Sequence, residues 1–119
     1  MTNTTAAKPL GDLLGHRVDI VYYLQFGERI KIGTTSNLQK RLKVVPHDRV
    51  LAVEPGGHAL EHMRHIEFKS ARVTGEWFTC SPELMAHVRN VLDTHGDPRK
   101  AVVRWILEKD SRLDNTRGF

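Results

Sequence analysis

The sequence predicts an α+β fold: a small three-stranded antiparallel sheet flanked by helices, with two more helices at the C-terminal end. Three observations predict it. VDIVYYLQ (18–25) and RIKIGT (29–34) are runs rich in β-branched residues, joined by FGER (26–29), where Gly27 can turn the chain into a hairpin. Helical periodicity with start and stop signals follows that hairpin and dominates the second half of the chain. A chain of 119 residues holds one such core and is too short for two domains.

Residues 1–16 are polar and aperiodic, which predicts a loose N-terminal arm; one domain is expected over 17–113, with a polar tail at 114–119. After the hairpin, Ser36 and Gln39 stand at capping-box spacing, and Leu38, Leu42 and Val45 form an apolar stripe that Pro46 ends. RVLAVE (49–54) reads as a third strand, broken by Pro55-Gly56-Gly57. HALEHMRHIEFKSA (58–71) is the next helix, and TGEWFTC (74–80) a short edge segment with a turn at Gly75. Ser81-Pro82 pairs a capping hydroxyl with proline at the first helical position, and Leu84, Val88, Val91 and Leu92 give that helix a core stripe closed by Gly96. Asp97-Pro98 starts a last helix, apolar at Val102, Val103, Ile106 and Leu107.

Hydrophobic residues make up 39% and charged residues 27%, ordinary for a globular chain. No apolar run approaches the ~20 residues of a membrane span. The start of the chain lacks an apolar stretch behind basic residues, so no signal peptide is expected. Cys80 is the single cysteine, which excludes an internal disulfide and fits a cytoplasmic location. The net charge is +4, and residues 28–49 alone hold six Lys/Arg against two acids. That concentration suits phosphate binding by Arg29, Lys40 and Lys43 as readily as it suits a solvated helix face.

Five short motifs occur in order: Val21-Tyr22-Tyr23 on the first strand, Lys31-Ile32-Gly33 on the second, Arg41 ten residues beyond Lys31, then Glu61-x-x-x-His65-x-x-Phe68, then Gly75-Glu76-Trp77-Phe78. Over about residues 20–79 the chain resembles the GIY-YIG nucleases, most closely the phage-associated branch with KIG and GEWF motifs (T5orf172/MUG113-like). The resemblance implies a metal-dependent DNA endonuclease with Mg²⁺ or Mn²⁺ on Glu61, DNA as partner, Tyr23, Lys31 and Arg41 as catalytic residues, and His65 as an auxiliary group. Lys31 stands where the family has its second tyrosine.

The chemistry of the residues agrees. A guanidinium at Arg41 is always charged and can fork two phosphate oxygens. Glu61 is a hard oxygen ligand of the kind Mg²⁺ takes. Tyr23 can accept a proton from water only if its phenol is made more acidic. A hairpin centred near residue 27 would set Tyr23 and Lys31 directly opposite each other, where an ammonium favours the phenolate. Singly, each residue also has an ordinary role: Tyr23 a strand aromatic, Lys31 and Arg41 surface cations, Glu61 a partner for His65, Trp77 and Phe78 core, Glu76 a turn carboxylate.

Three alternatives stand beside the enzyme. One is a catalytically inactive nucleic-acid-binding module of the same fold. Another is a zinc hydrolase, because His58-x-x-Glu61-His62 matches the inverted zinc-peptidase pattern. The third is an interaction domain whose last helix, with Trp105 to one side of its stripe, makes a homodimer or docks a targeting partner.

Overall fold

A computed structural model describes residues 18–117; the arm expected over 1–16 lies outside the described residues. The class is α+β, as the sequence predicts, but the sheet is larger. Strands β1 (Ile20–Phe26), β2 (Arg29–Thr35), β3 (Arg49–Pro55), β4 (Arg72–Thr74) and β5 (Trp77–Thr79) form one antiparallel sheet in the order β3-β1-β2-β5-β4. The segment expected as a lone edge piece is a hairpin, β4–β5, turned at Gly75-Glu76 and added to the free side of β2. Strands of three residues are too short to show a two-residue alternation, so their pairing is not readable along the chain.

Among the described residues four α-helices surround the sheet, α1 (Leu38–Leu42), α2 (His58–Glu67), α3 (Pro82–His95) and α4 (Pro98–Arg117), with a single 3₁₀ turn at Lys69–Ala71 after α2. The start of α1 is one residue later than expected. Asn37 is the cap, its side chain accepting from the Lys40 N–H at 3.1 Å, while Ser36 lies in the preceding bend. Ser81 caps α3 as predicted, accepting from the Leu84 N–H at 3.2 Å, with Pro82 at the first helical position. The last helix continues through 114–117, where a tail was expected.

The sheet carries a core on each face. On one, Val21, Tyr23, Ile30, Ile32, Ala52 and Phe78 meet Leu84, Val88 and Val91 of α3, with Leu60 of α2 packed at the margin. On the other, Ile20, Tyr22, Leu24 and Val53 meet Leu38 of α1 and Ala101, Val102 and Ile106 of α4. Burial on both faces explains why β1 reads as a continuous apolar run and not as an alternation. Phe78 is core as expected, whereas Trp77 is half-buried on the opposite face. Trp105 is half-buried against the second core, edge-on to His95 at 5.4 Å.

One polar cluster ties this architecture together. Glu54 at the end of β3 is buried and receives a two-pronged ion pair from Arg64 of α2, with Nε and Nη2 each 2.9 Å from a carboxylate oxygen. Tyr23 of β1 donates its hydroxyl proton to the same carboxylate and lies 2.9 Å from Nε2 of His87 on α3. Four elements therefore converge on one carboxylate. Burial opposes its ionisation, but the His87 imidazole 3.7 Å away and hydrogen bonds from Arg64 and Tyr23 hold its pKa down to about 2, against an ordinary 4.5.

Because the unfolded chain takes up this proton near 4.5 and the folded chain only near 2, stability should fall as pH is lowered through that window. Glu54→Gln should flatten this acid limb and cost about 3 kcal/mol at neutral pH, the usual scale for breaking a buried pair. Urea denaturation across pH 2–7 checks both, and an unchanged acid limb would remove Glu54 from its cause.

Candidate active site

The β1–β2 register decides which side chains share the site. Phe26 pairs with Arg29 across a two-residue turn, Gly27-Glu28, with Gly27 at φ 60°. Partner numbers therefore sum to 55: Tyr22 faces Gly33, Tyr23 faces Ile32 and Leu24 faces Lys31. The expected opposition of Tyr23 and Lys31 does not occur. It assumed a turn centred on Gly27 alone, and a slip of one residue moves every side chain to the other face. Lys31 shares its face with Tyr22. Tyr23 is on the other side, engaged by Glu54 and His87, and burial followed by the Glu54 contact raises its pKa.

The Tyr22 ring lies over Gly33. A Cβ at position 33 would sit 2.6 Å from Tyr22 Cζ and 3.0 Å from Glu76 Oε1, so only glycine leaves room where the phenol and the carboxylate converge. Glu76 is held there twice. Its carbonyl accepts from the Ile32 N–H at 2.9 Å, and its carboxylate pairs with Lys31 Nζ at 3.3 Å. Burial, then the charge of Glu76, push the Tyr22 phenol up to about 12; Arg41 opposes this and Glu61 adds to it. Tyr22 is thus a neutral phenol at physiological pH, set among Glu76, Arg41 and Glu61.

Glu61 enters from α2. Its pKa is raised by burial and then by the negative charge of Glu76, against the opposing influence of His65 and His58. His65, one helical turn on, has its ring edge-on to Phe78 at 5.0 Å. Its Nε2 is 2.9 Å from the Ile32 carbonyl, and because a carbonyl only accepts, that nitrogen carries the proton. His65 is thereby docked on β2 beside Glu61. Arg41 is an exposed residue in the last turn of α1. Tyr22, Lys31, Arg41, Glu61 and His65 are brought to one region of the fold, and Tyr23 is not. Arg29, Lys40 and Lys43 are all exposed, Arg29 at the tip of the hairpin and Lys40 and Lys43 at the end of α1.

Tyr22 and Glu76 are the two site residues that sequence reasoning missed. An odd partner sum for a two-residue turn would have selected Tyr22. The glutamate of the GEWF motif was visible, but its approach to Gly33 depends on the β5–β2 pairing.

Among the described residues, no group of three His, Cys, Asp or Glu side chains is arranged to hold a metal ion. His58, Glu61 and His62 accordingly do not form a three-ligand zinc site, and His58 and His62 are exposed on the helix. The neighbouring carboxylates of Glu61 and Glu76 do fit a magnesium-type ion, which takes one or two protein carboxylates and completes its shell with water and phosphate oxygens.

The T5orf172 domain family matches residues 19–93, a span that holds all five strands, α1, α2 and most of α3. No curated protein and no solved structure matches the chain.

Gly33→Ala should cost about 1–3 kcal/mol, the scale of overpacking a filled core. Combining it with Tyr22→Leu, which removes the obstructing end of the ring, should recover part of that loss. A double-mutant cycle in urea denaturation measures the coupling, and additive effects would mean that Tyr22 does not lie over Gly33.

Proposed function

The chain belongs to the T5orf172 domain family, a GIY-YIG-like, phage-associated family, and from that premise we propose that it is a metal-dependent DNA endonuclease. The observation that carries the reading is the convergence of Tyr22, Glu76 and Lys31 over Gly33, with Arg41 and Glu61 close enough to bias the phenol.

The proposed mechanism assigns each group one task. The Tyr22 hydroxyl orients a water beside the Glu76 carboxylate. As that water attacks phosphorus, its proton passes to Glu76, which Lys31 keeps aligned. The Arg41 guanidinium neutralises the non-bridging phosphate oxygens, where charge builds up. Glu61, with Glu76 beside it, would hold Mg²⁺ or Mn²⁺, which when bound supplies Lewis-acid stabilisation of the departing oxygen. His65 positions Glu61 by docking its helix on the Ile32 carbonyl. Tyr22 takes the place that the sequence alone assigned to Tyr23. Lys31 acts through Glu76 and not on a phenolate. Arg29, Lys40 and Lys43 supply phosphate contacts around the site.

The second reading, a nucleic-acid-binding module without catalysis, is favoured by one observation. Lys31 stands where the wider GIY-YIG pattern, which the chain resembles, has its second tyrosine, and that lysine is already paired with Glu76.

Supercoiled plasmid incubated with Mg²⁺ or Mn²⁺ separates the two. The enzyme reading expects nicking by the wild type, loss of about 100-fold or more in Glu61→Gln and Tyr22→Phe, and no rescue by Arg41→Lys. Tyr23→Phe should retain far more activity than Tyr22→Phe. Plasmid binding without nicking under either metal would leave the inactive module standing.

A further inference from the structure

Beside the proposed reacting groups, the same face of the sheet carries, among the described residues, a partly exposed aromatic and cationic strip. The core of this face is built around Ile20, Tyr22, Leu24 and Val53, so α1 and α4 cover β1 and β3. Toward the other edge, Phe26 pairs with Arg29, Lys31 pairs with Trp77, and Arg29 pairs with Thr79. These side chains share the face of Tyr22, because Leu24 is opposite Lys31 and Tyr22 opposite Gly33. Phe26 is 49% exposed, Arg29 and Thr79 are exposed, and Trp77 is half-buried. The Phe26 and Trp77 rings are 6.3 Å apart and tilted by 55°, and Lys31 Nζ lies 5.3 Å from the Trp77 centroid.

We infer that Trp77 and Phe26 form a stacking platform for an unpaired nucleotide next to the scissile phosphate, so that the substrate is a DNA strand that is single-stranded or locally unpaired at the cleavage site. This rests on the nuclease reading and adds its substrate class. Three features select the occupant. Two apolar rings, Phe26 exposed and Trp77 half-buried, share a sheet face, and the charged side chains paired with them on that face, Arg29 and Lys31, are cationic, which suits a polyanion, while the acids Glu28 and Asp48 lie at the hairpin turn. The strip is continuous with the proposed site through Lys31, which touches both Glu76 and the Trp77 ring. A base can present its face to such rings only when it is out of a duplex, and stacking of this kind is tolerant of base identity. Arg29, beside Phe26, is placed for the phosphate of the stacked nucleotide.

The test uses the full chain carrying Glu61→Gln, which the nuclease reading makes unable to cleave, together with Trp105→Phe, which leaves Trp77 as the single tryptophan. The probes are a thymidine oligonucleotide, a fully paired duplex, and that duplex with a short unpaired bubble. Trp77 emission should be quenched by the oligonucleotide and the bubble but not by the paired duplex. By anisotropy of labelled DNA, Trp77→Ala should weaken binding to the unpaired probes about tenfold and to the paired duplex less than about twofold, with Trp77→Phe retaining most of the affinity. Phe26→Ala, a change at an exposed side chain, should reproduce a smaller loss and guards against misfolding of the tryptophan variant. Equal weakening toward all three probes, or none, overturns the platform and leaves the nuclease reading in place. Failure to bind any of the probes overturns both.

Discussion

The rest of the structure depends on the two-residue turn at Gly27-Glu28. A turn of two residues makes the strand register odd, and the odd register divides β1 between two faces with opposite fates. Tyr23 is turned toward the Glu54 cluster and the core under α3. Tyr22 is turned toward Gly33, Glu76 and the basic helix α1. Adjacent residues of one type thus acquire unrelated roles, one in holding the fold and one in the proposed chemistry. The turn is itself anchored, because Asp48 accepts from the Gly27 N–H at 2.7 Å and its own N–H donates to the Gln25 carbonyl at 2.6 Å.

The Glu54 cluster and the proposed active site are mechanically linked through α2. Arg64 binds Glu54 on one side of the helix, while Glu61, three residues earlier, and His65, the next residue, belong to the site. None of the side chains of α2 is fully buried, so apolar packing holds this helix only weakly. Its orientation is set instead by two polar anchors, the Arg64 fork on Glu54 and the His65 bond to Ile32. Directional hydrogen bonds fix the placement of a helix and its side chains more narrowly than apolar contact does.

Gly33 shows how a small residue can shape a site without taking part in it. The missing side chain lets the Tyr22 ring and the Glu76 carboxylate approach each other over the strand backbone. The proximity has an electrostatic consequence, since burial and then the charge of Glu76 raise the pKa of both the Tyr22 phenol and the Glu61 carboxyl. Lys31 offsets part of this by pairing with Glu76.

By itself the sequence determined the elements that local chemistry dictates. The strand character of 20–26 and 29–35, the cap at Ser81-Pro82, the break at Pro55-Gly56-Gly57, and the order of the short motifs are all written in neighbouring residues, whereas the first helix ends at Leu42 and not at Pro46 as expected. Such signals act over a few residues and survive without tertiary context. What the tertiary structure alone decided was pairing and facing. Which of Tyr22 and Tyr23 shares the face of Lys31 turns on a register difference of one residue. The site position of Glu76 and the outward turn of Trp77 follow from a three-residue strand joining β2, and the Glu54–Arg64–Tyr23–His87 cluster joins residues up to 64 apart in sequence. Long-range pairing leaves no local mark, because its energy comes from partners that the chain brings together only on folding.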